Sequence, residues 1–367
     1  MPALEKIVEG STKLVVPGYA KELGPAAKST IFYNPAMRAN RDITVLFARA
    51  VAKNGWTVLD ALGGTGAKGI RLVVETGLEL DITVNDSSKD AFGTIKKNIR
   101  ANKLKNVRAS NQEYNALLSN CGYDWIEIDP YGSPVRFMDL AFRRVSRNGI
   151  ISITATDTAP LCGTRTDTCR RRYLARPMRG PCAHEFGLRI LVGNAVRRAA
   201  VFDFGLVPML AYYHGHYFRA FFRKLKGVKL ANSALEGLGY VTWDEKKGYT
   251  VTGEEPVRGT FAGPLWTGDL WDKDTVNRML ESLDDDIGRE AVKVLRSIDG
   301  ELLQPPYYHH IDHLASMTGT DPVGTDRLIQ HLGEVGFASS GVHYTRKGFK
   351  TNASLPEIKT ILSELSQ

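Results

Sequence analysis

The sequence predicts an α/β fold: a parallel sheet with crossover helices, followed by a smaller α+β domain. Three observations carry this. Between residues 57 and 157, short β-branched runs alternate with helical apolar periods, the pattern of crossover connections. The predicted strands end at acids: Asp60, Asp86 and Asp129 close strands one, two and four, and Glu113 follows the third. From about residue 228 the texture changes to glycine-rich segments with scattered aromatics, then helices. We therefore expect a domain over 1–227, with an N-terminal extension, and another over 228–367.

Composition narrows the class. A chain of 367 residues with 43% apolar content supports about two domains with proper cores. No run of about 18 apolar residues occurs, so no membrane helix is expected. The N-terminus lacks the basic-then-apolar build of a signal peptide, so a cytoplasmic protein is expected. The four cysteines form no Cys-x-x-Cys pair, which points to neither a zinc ribbon nor a disulfide framework. The net charge of +8 suggests an anionic partner.

Residues 5–20 read as hairpin material. The stretch Phe32-Tyr33-Asn34-Pro35-Ala36-Met37-Arg38-Ala39-Asn40-Arg41-Asp42 puts aromatics, amides and arginines before an apolar helix, Ile43–Val51. We read it as facing a ligand; the alternative is a helix entry in which Asn34 or Asn40 caps. Thr57–Asp60 is the first strand. The turn Gly63-Gly64-Thr65-Gly66 then leads into a helix carrying Arg71. Glycines let the backbone approach a ligand, and the helix start offers free N–H groups. Gly64-Thr65-Gly66-Ala67-Lys68-Gly69 matches the dinucleotide pattern literally, but a lone match is weak. Asp60 discriminates: an acid before the loop suits an adenosine-bearing amino acid with a cationic amine. The second strand ends on Asp86, 20 residues after Gly66 and beside Ser87, where a carboxylate binds a ribose diol. Helix Asp90–Asn102 is amphipathic. Strand Val107–Asn111 leads to Glu113 and Tyr114, which suit an adenine pocket; an ordinary helix-start carboxylate is the plain alternative for Glu113.

Strand four, Trp125–Ile128, breaks at Asp129-Pro130-Tyr131-Gly132-Ser133-Pro134. Pro130 ends strand pairing. The break leaves a carboxylate, rigid carbonyls and an aromatic ring at the edge where α/β sheets bind ligands. That set suits a planar base with an exocyclic amine: the ring stacks, and the carboxylate and carbonyls accept N–H. A plain Pro-Gly turn is the other reading. Helix Phe137–Arg144 and strand Gly149–Asp157 follow.

Residues 160–182 carry Arg165, Arg170, Arg171, Arg172, Arg176 and Arg179 against a single acid, Asp167, and no lysine. Arginine forks suit phosphates, so we expect a nucleic-acid contact loop; a solvated face is the alternative. Cys162 is read as structural. Helix Phe186–Val201 precedes strands Leu206–Tyr213 and Tyr217–Lys226, with His214 and His216 as turn residues. Short antiparallel strands are expected over 233–271 and helices over 273–300. A further helix is expected to carry His309, His310 and His313, packed or solvated rather than metal-binding. Helix Gly324–Gly336 and a basic hairpin with Arg346, Lys347 and Lys350 read as a winged-helix-like end whose turn meets RNA phosphates.

Assembled, these residues resemble class I S-adenosylmethionine-dependent methyltransferases, and more closely the archaeal type of the tRNA guanine-26 N2-dimethyltransferase family. The resemblance rests on Phe32-Tyr33-Asn34-Pro35-x-Met37 with Asn40-Arg41-Asp42, on Asp60-Ala61-Leu62-Gly63-Gly64-Thr65-Gly66, and on Asp129-Pro130-Tyr131-Gly132-Ser133-Pro134. It continues through Thr154-Ala155-Thr156-Asp157, Leu161-Cys162-Gly163, Gly263-Pro264-Leu265-Trp266 and Lys350-Thr351-Asn352-Ala353. It implies a seven-stranded Rossmann-like sheet, S-adenosyl-L-methionine as cofactor, tRNA as partner and the N2 amine of guanine 26 as target. It places cofactor contacts at Arg41, Arg71, Asp86, Glu113 and Tyr114; we add Phe32, Asp60, the glycine loop and Ser87. Glu113-Tyr114 departs from the family's usual Asp-Ala. Many members also carry a four-cysteine zinc site between the Gly239-Tyr240 and Gly263-Pro264 landmarks. This chain has no cysteine there, so no zinc and a packed subdomain are expected, in a monomer.

The expected chemistry is positional: Asp129 accepts an N2 hydrogen, the Pro130 carbonyl accepts the second, and Tyr131 stacks. Other readings remain open at this stage. They are a methyltransferase for another exocyclic amine in RNA, a nicotinamide oxidoreductase, and a non-enzymatic RNA-binding protein.

Overall fold

A computed structural model describes residues 4–18, 31–256 and 258–366. It opens with an antiparallel hairpin of β1 (Leu4–Glu9) and β2 (Thr12–Pro17). Gly10 turns it at φ +59°, where a Cβ would sit 2.5 Å from a Glu75 carboxylate oxygen; only glycine fits such a turn. Residues 19 and 20 of the expected hairpin region lie outside the described residues.

Helix α1 runs Arg38–Val51, starting before the expected Ile43. The polar start hid it, yet Asn40, Arg41 and Asp42 are all buried. Alternating elements follow: β3 (Thr57–Asp60), α2 (Ala67–Glu75), β4 (Asp81–Asn85), α3 (Lys89–Ala101), β5 (Val107–Ser110), α4 (Tyr114–Asn120), β6 (Tyr123–Ile128), α5 (Val135–Arg144) and β7 (Val145–Ala155). Strands β3 to β7 pair in parallel. The inner strands β3, β4 and β6 are almost continuously buried, because a parallel sheet is covered on both faces, while β5 at the sheet edge is mostly part-exposed. After α6 (Thr158–Leu161), α7 (Thr166–Tyr173) and α8 (Ala183–Ala200) come β8 (Phe204–His214) and β9 (Tyr217–Lys226), turned at Gly215. The sheet is seven-stranded, in the order β5-β4-β3-β6-β7-β9-β8, as the resemblance implied.

The later chain contains α9 (Val228–Glu236), β10 (Leu238–Asp244), β11 (Gly248–Thr252), β12 (Phe261–Trp266), α10 (Lys273–Glu281) and α11 (Arg289–Glu301). The expected antiparallel strands form a small sheet, β11-β10-β12, whose inner residues Val241, Phe261, Ala262 and Leu265 are buried. Then come β13 (His309–His310), α12 (Ile311–Thr318), α13 (Thr325–Glu334), β14 (Ser339–Val342), β15 (Thr345–Thr351) and α14 (Leu355–Leu365). The three helices close on a core of Leu314, Leu328, Leu332, Phe349, Ile358 and Leu362, with β14 and β15 as the expected hairpin. One expectation is corrected. His309 and His310 are strand residues paired with Phe349 and Gly348, and the helix begins only at Ile311. His309 and His313 therefore do not share a helix.

The chain forms two compact units, and the division is not a single cut. One comprises 1–154, 221–226 and 274–292; the other comprises 155–220, 227–273 and 293–367. Residues 155–220, which the sequence groups with the preceding strands, belong to the second unit because α8 packs on β8 and β12 there.

Candidate active site

The first unit's sheet order reverses between β3 and β6. The chain steps from β3 outward through β4 to β5, then returns to place β6 on the other side of β3. Ligands bind beyond the carboxyl ends of the strands at such a switch point. Asp60 ends β3, Asp86 follows β4, and Asp129 follows β6. The parallel register carries all three to one edge.

The loop between β3 and α2 is held tightly. Gly66 N donates to the Gly63 carbonyl at 2.7 Å and Gly63 N to the Asn85 carbonyl at 2.8 Å. Gly64 has φ +57°, and a Cβ there would lie 2.7 Å from the Phe32 carbonyl. Phe32 thus lies against the loop, the residue itself 45% exposed. Asp86 Oδ2 accepts from Gly64 N at 2.9 Å, and Oδ1 from Ser88 N at 2.8 Å. Burial still keeps the Asp86 carboxyl above its ordinary range despite those donors. Ser87 is exposed beside it.

Asp60 is 3% exposed and accepts from Gly69 N at 3.1 Å. Burial pushes its carboxyl up to about 7, Lys68 opposes, and the neighbouring Glu127 and Asp129 add to the rise. A carboxylate so placed gains most from an arriving cation.

Asp129 sits just past β6, its side chain 20% exposed. Its Oδ2 accepts from Lys68 Nζ at 2.5 Å, and the same ammonium donates to Glu127 Oε1 at 2.7 Å. Pro130 is buried. Tyr131 is 84% exposed, a ring presented at the lip. A carboxylate, a proline and an exposed aromatic ring thus follow one another at the end of β6.

Four expected cofactor contacts have other partners. Arg71 is fully buried and reaches Glu9 at 2.8 Å, Asp42 at 2.7 Å and Glu75 at 2.7 Å; it is corrected to a core cation. Arg41 is 7% exposed, and its fork grips Glu9 at 2.5 and 2.6 Å while also donating to the Asn34 carbonyl. Burial pulls the Glu9 carboxyl up, but Arg41 and Arg71 outweigh it and hold it at about 2. Tyr114 is 4% exposed and gives its hydroxyl to the Phe137 carbonyl at 2.5 Å, so its side chain belongs to the core. Glu113 caps α4, accepting from Asn115 and Ala116 N–H, and stays exposed. Asn34 likewise caps the short turn ahead of α1, while Asn40 is buried and donates to Thr154 Oγ1 at 3.4 Å.

In the second unit, Arg165, Arg170, Arg171, Arg172, Arg176 and Arg179 are all exposed on and around α7. Arg172 pairs with Asp157 at 3.0 Å, and Arg176 lies over the Phe261 ring. Burial pushes the Cys162 thiol up to about 12, which leaves no thiolate nucleophile. Arg346 and Lys347 are exposed. Lys350 is corrected: it is 1% exposed, paired with Glu301 at 3.0 Å and Glu185 at 3.5 Å. A cation enclosed this way has no face for phosphate. Among the described residues no group of three or more His, Cys, Asp or Glu side chains is arranged to hold a metal ion.

Sequence reasoning missed Lys68 and Glu127. Period two in β6 puts Glu127 on the face of Asp129, which was a readable signal. The lysine that joins them comes from another element, and no local pattern announces it.

Comparison with known proteins shows the family. The family model described as N2,N2-dimethylguanosine tRNA methyltransferase matches residues 10–363. The tRNA (guanine(26)-N(2))-dimethyltransferase of Thermococcus kodakarensis is 37% identical over 372 residues, covering 95% of this chain and 98% of that one. The enzyme of the same name from Methanococcus maripaludis strain C7 is 35% identical, covering 98% of both chains. Among solved structures, Trm1 from Pyrococcus horikoshii in complex with S-adenosyl-L-methionine superposes with a TM-score of 0.88 at 33% identity. The match covers 98% of this chain and 100% of that one. With a glycine loop, an acidic sheet edge and these full-length likenesses together, the chain belongs to the N2,N2-dimethylguanosine tRNA methyltransferase family.

Proposed function

We infer that this protein uses S-adenosyl-L-methionine to methylate the exocyclic N2 of guanine 26 in tRNA, giving N2-methyl- and N2,N2-dimethylguanosine. One observation carries the reading beyond family membership: Asp129, Pro130 and the exposed Tyr131 stand together at the switch-point edge. That edge also holds the glycine loop.

The residues present fit the cofactor. Gly64 lets the loop run directly against the Phe32 backbone, where a Cβ would lie 2.7 Å from its carbonyl oxygen. Asp60 is a buried carboxylate raised to about 7 and ready for a cation. Asp60, Gly63, Gly64, Thr65 and Gly66 would hold the amino-acid end, Asp86 and Ser87 the ribose, and Phe32 and Glu113 the flanks. When bound, the cofactor supplies an electrophilic methyl group.

The protein's part is orientation. Asp129 accepts one N2–H, the Pro130 carbonyl accepts the other, and Tyr131 stacks on the unstacked base. The amine lone pair, otherwise delocalised into the ring, is then turned toward the methyl. Asp129 also receives the departing proton or passes it to water. Taking guanine out of its stack costs a few kcal/mol, which phosphate contacts by the exposed arginines, with Arg346 and Lys347, would offset. The proposal includes a monomer acting in the cytoplasm. Among the described residues no helix is long and apolar enough to cross a membrane.

The test is a methylation assay with labelled S-adenosylmethionine and unmodified tRNA transcripts, followed by nucleoside analysis. Label in N2-methyl- and N2,N2-dimethylguanosine, lost with Asp129→Ala and with adenine at position 26, is expected. Label in another nucleoside would keep the transferase and discard the target. Sizing the protein alone and with tRNA checks the monomer.

A further inference from the structure

The contact between Lys68 and Asp129 extends the site inward. Lys68 lies in the first turn of α2, its side chain 8% exposed, with Glu127 at 1% on one side and Asp129 at 20% on the other. Glu127 is itself anchored. Its Oε2 accepts from Ser152 Oγ on β7, and that hydroxyl accepts from Trp125 Nε1 at 2.7 Å. A continuous chain therefore runs from a buried indole through a hydroxyl, a carboxylate and an ammonium to the one carboxylate that reaches solvent.

We propose that Lys68 is the positioning residue for Asp129: its ammonium, braced by Glu127, fixes which oxygen of Asp129 faces the substrate amine. This rests on the reading of Asp129 given above. The geometry supplies the reason. Oδ2 is committed to Lys68 at 2.5 Å, so Oδ1 is the oxygen left to accept an N2–H. Glu127 and Asp129 lie on one face of the chain around a single cation. Without that cation each would raise the other's affinity for protons, and a protonated Asp129 presents a donor where the amine needs an acceptor. A merely structural Lys68–Glu127 pair would need no third member at the open edge.

The charged groups facing this ammonium are Glu127 and Asp129 from the β6 segment and Asp60 from β3. Asp60 acts on cofactor binding, so its titration falls on the KM for S-adenosylmethionine. Because Lys68 opposes the rise of the Asp60 carboxyl, its loss also raises the KM for S-adenosylmethionine, and its effect on Asp129 is read in kcat at saturating cofactor.

The experiment measures kcat at saturating S-adenosylmethionine and tRNA from pH 6 to 9, with Lys68→Met, Lys68→Arg and the double variant Lys68→Met/Glu127→Gln beside wild type. Cofactor binding by calorimetry reports folding. The expected result is a kcat ratio of Lys68→Met to wild type that is lowest at pH 6. It recovers toward pH 9. Lys68→Arg should restore the wild-type profile. A folded, cofactor-binding Lys68→Met whose ratio is the same at every pH overturns the proposal. Should Lys68→Met not fold, Lys68→Gln, which keeps a donor beside Glu127 but no charge, makes the same comparison; the double variant removes the second carboxylate and should show a flatter ratio, and a double variant as pH-dependent as the single one also overturns the proposal. Asp129→Ala in the same assay separates the two ideas. If it retains the wild-type rate, the reading of Asp129 fails; if it loses the rate while Lys68→Met shows no pH dependence, only the role of Lys68 fails.

Discussion

Two lysines in this protein each bridge two carboxylates, and they teach opposite lessons. Lys68 joins Glu127 to Asp129, whose side chain stays 20% exposed. Lys350 joins Glu185 to Glu301, both fully enclosed. Around Lys350 every group is otherwise engaged. Glu185 also accepts from Arg189 at 3.0 Å and from the Tyr307 and Tyr308 N–H groups, and Glu301 accepts from His343 at 2.6 Å. One arrangement is closed and holds a fold together; the other opens to solvent at one end.

Closing off Lys350 should make it the costlier residue to remove. Lys350→Met leaves two buried carboxylates short of a cation and should lower stability by about 3–5 kcal/mol, read by urea unfolding. An unchanged midpoint with a raised KM for tRNA would instead make Lys350 an RNA contact and end the contrast. Acid sharpens the same point. Burial raises the Glu185 carboxyl, but Lys350 and Arg189 outweigh it and hold it at about 2. A depressed carboxyl stabilises the fold above its unfolded value and loses that contribution as pH falls through its folded value. Stability should therefore decline from about pH 4.5 toward 2, and a Glu185→Gln variant should show less of that decline.

At the open end the cost falls on rate. Asp129→Ala should lose about 10²–10³-fold in kcat, with its unfolding midpoint near wild type. Asp60 comes next. Its carboxyl stands at about 7, so affinity for S-adenosylmethionine should rise about tenfold per pH unit up to that value and level above it, measurable by calorimetry. A raised carboxyl favours the folded state at low pH and loses that advantage as pH rises through 7. Asp60→Asn should accordingly raise stability at pH 8 while weakening the cofactor. The smallest effect belongs to the exposed arginines. Arg170→Ala or Arg171→Ala should raise the KM for tRNA a few-fold and reduce the salt slope by about one per lost phosphate contact.

Much of the first unit was legible in advance. Strands β3 to β7, the glycine loop and the acids at the strand ends follow from period, turn chemistry and position, all local properties. The hairpin after α13 and the small sheet after α9 were legible for the same reason. The start of α1 was not, because Asn40, Arg41 and Asp42 read as surface residues until their distant partners are known. Arg71 and Tyr114 went wrong in the same way: each stands where a ligand contact is expected, and each is consumed by the core.

The sequence by itself determined the alternation of strands and helices, the carboxylates at their ends, and the Asp129-Pro130-Tyr131 break. These depend on residues close together in the chain. Only the tertiary structure decided which charges are enclosed. Glu9 meets Arg41 and Arg71, Lys350 meets Glu185, and Lys68 meets Asp129 across long stretches of chain. A charged side chain carries no mark of its burial; whether it is a surface cation, a core brace or part of a site is set by the partners that folding brings to it.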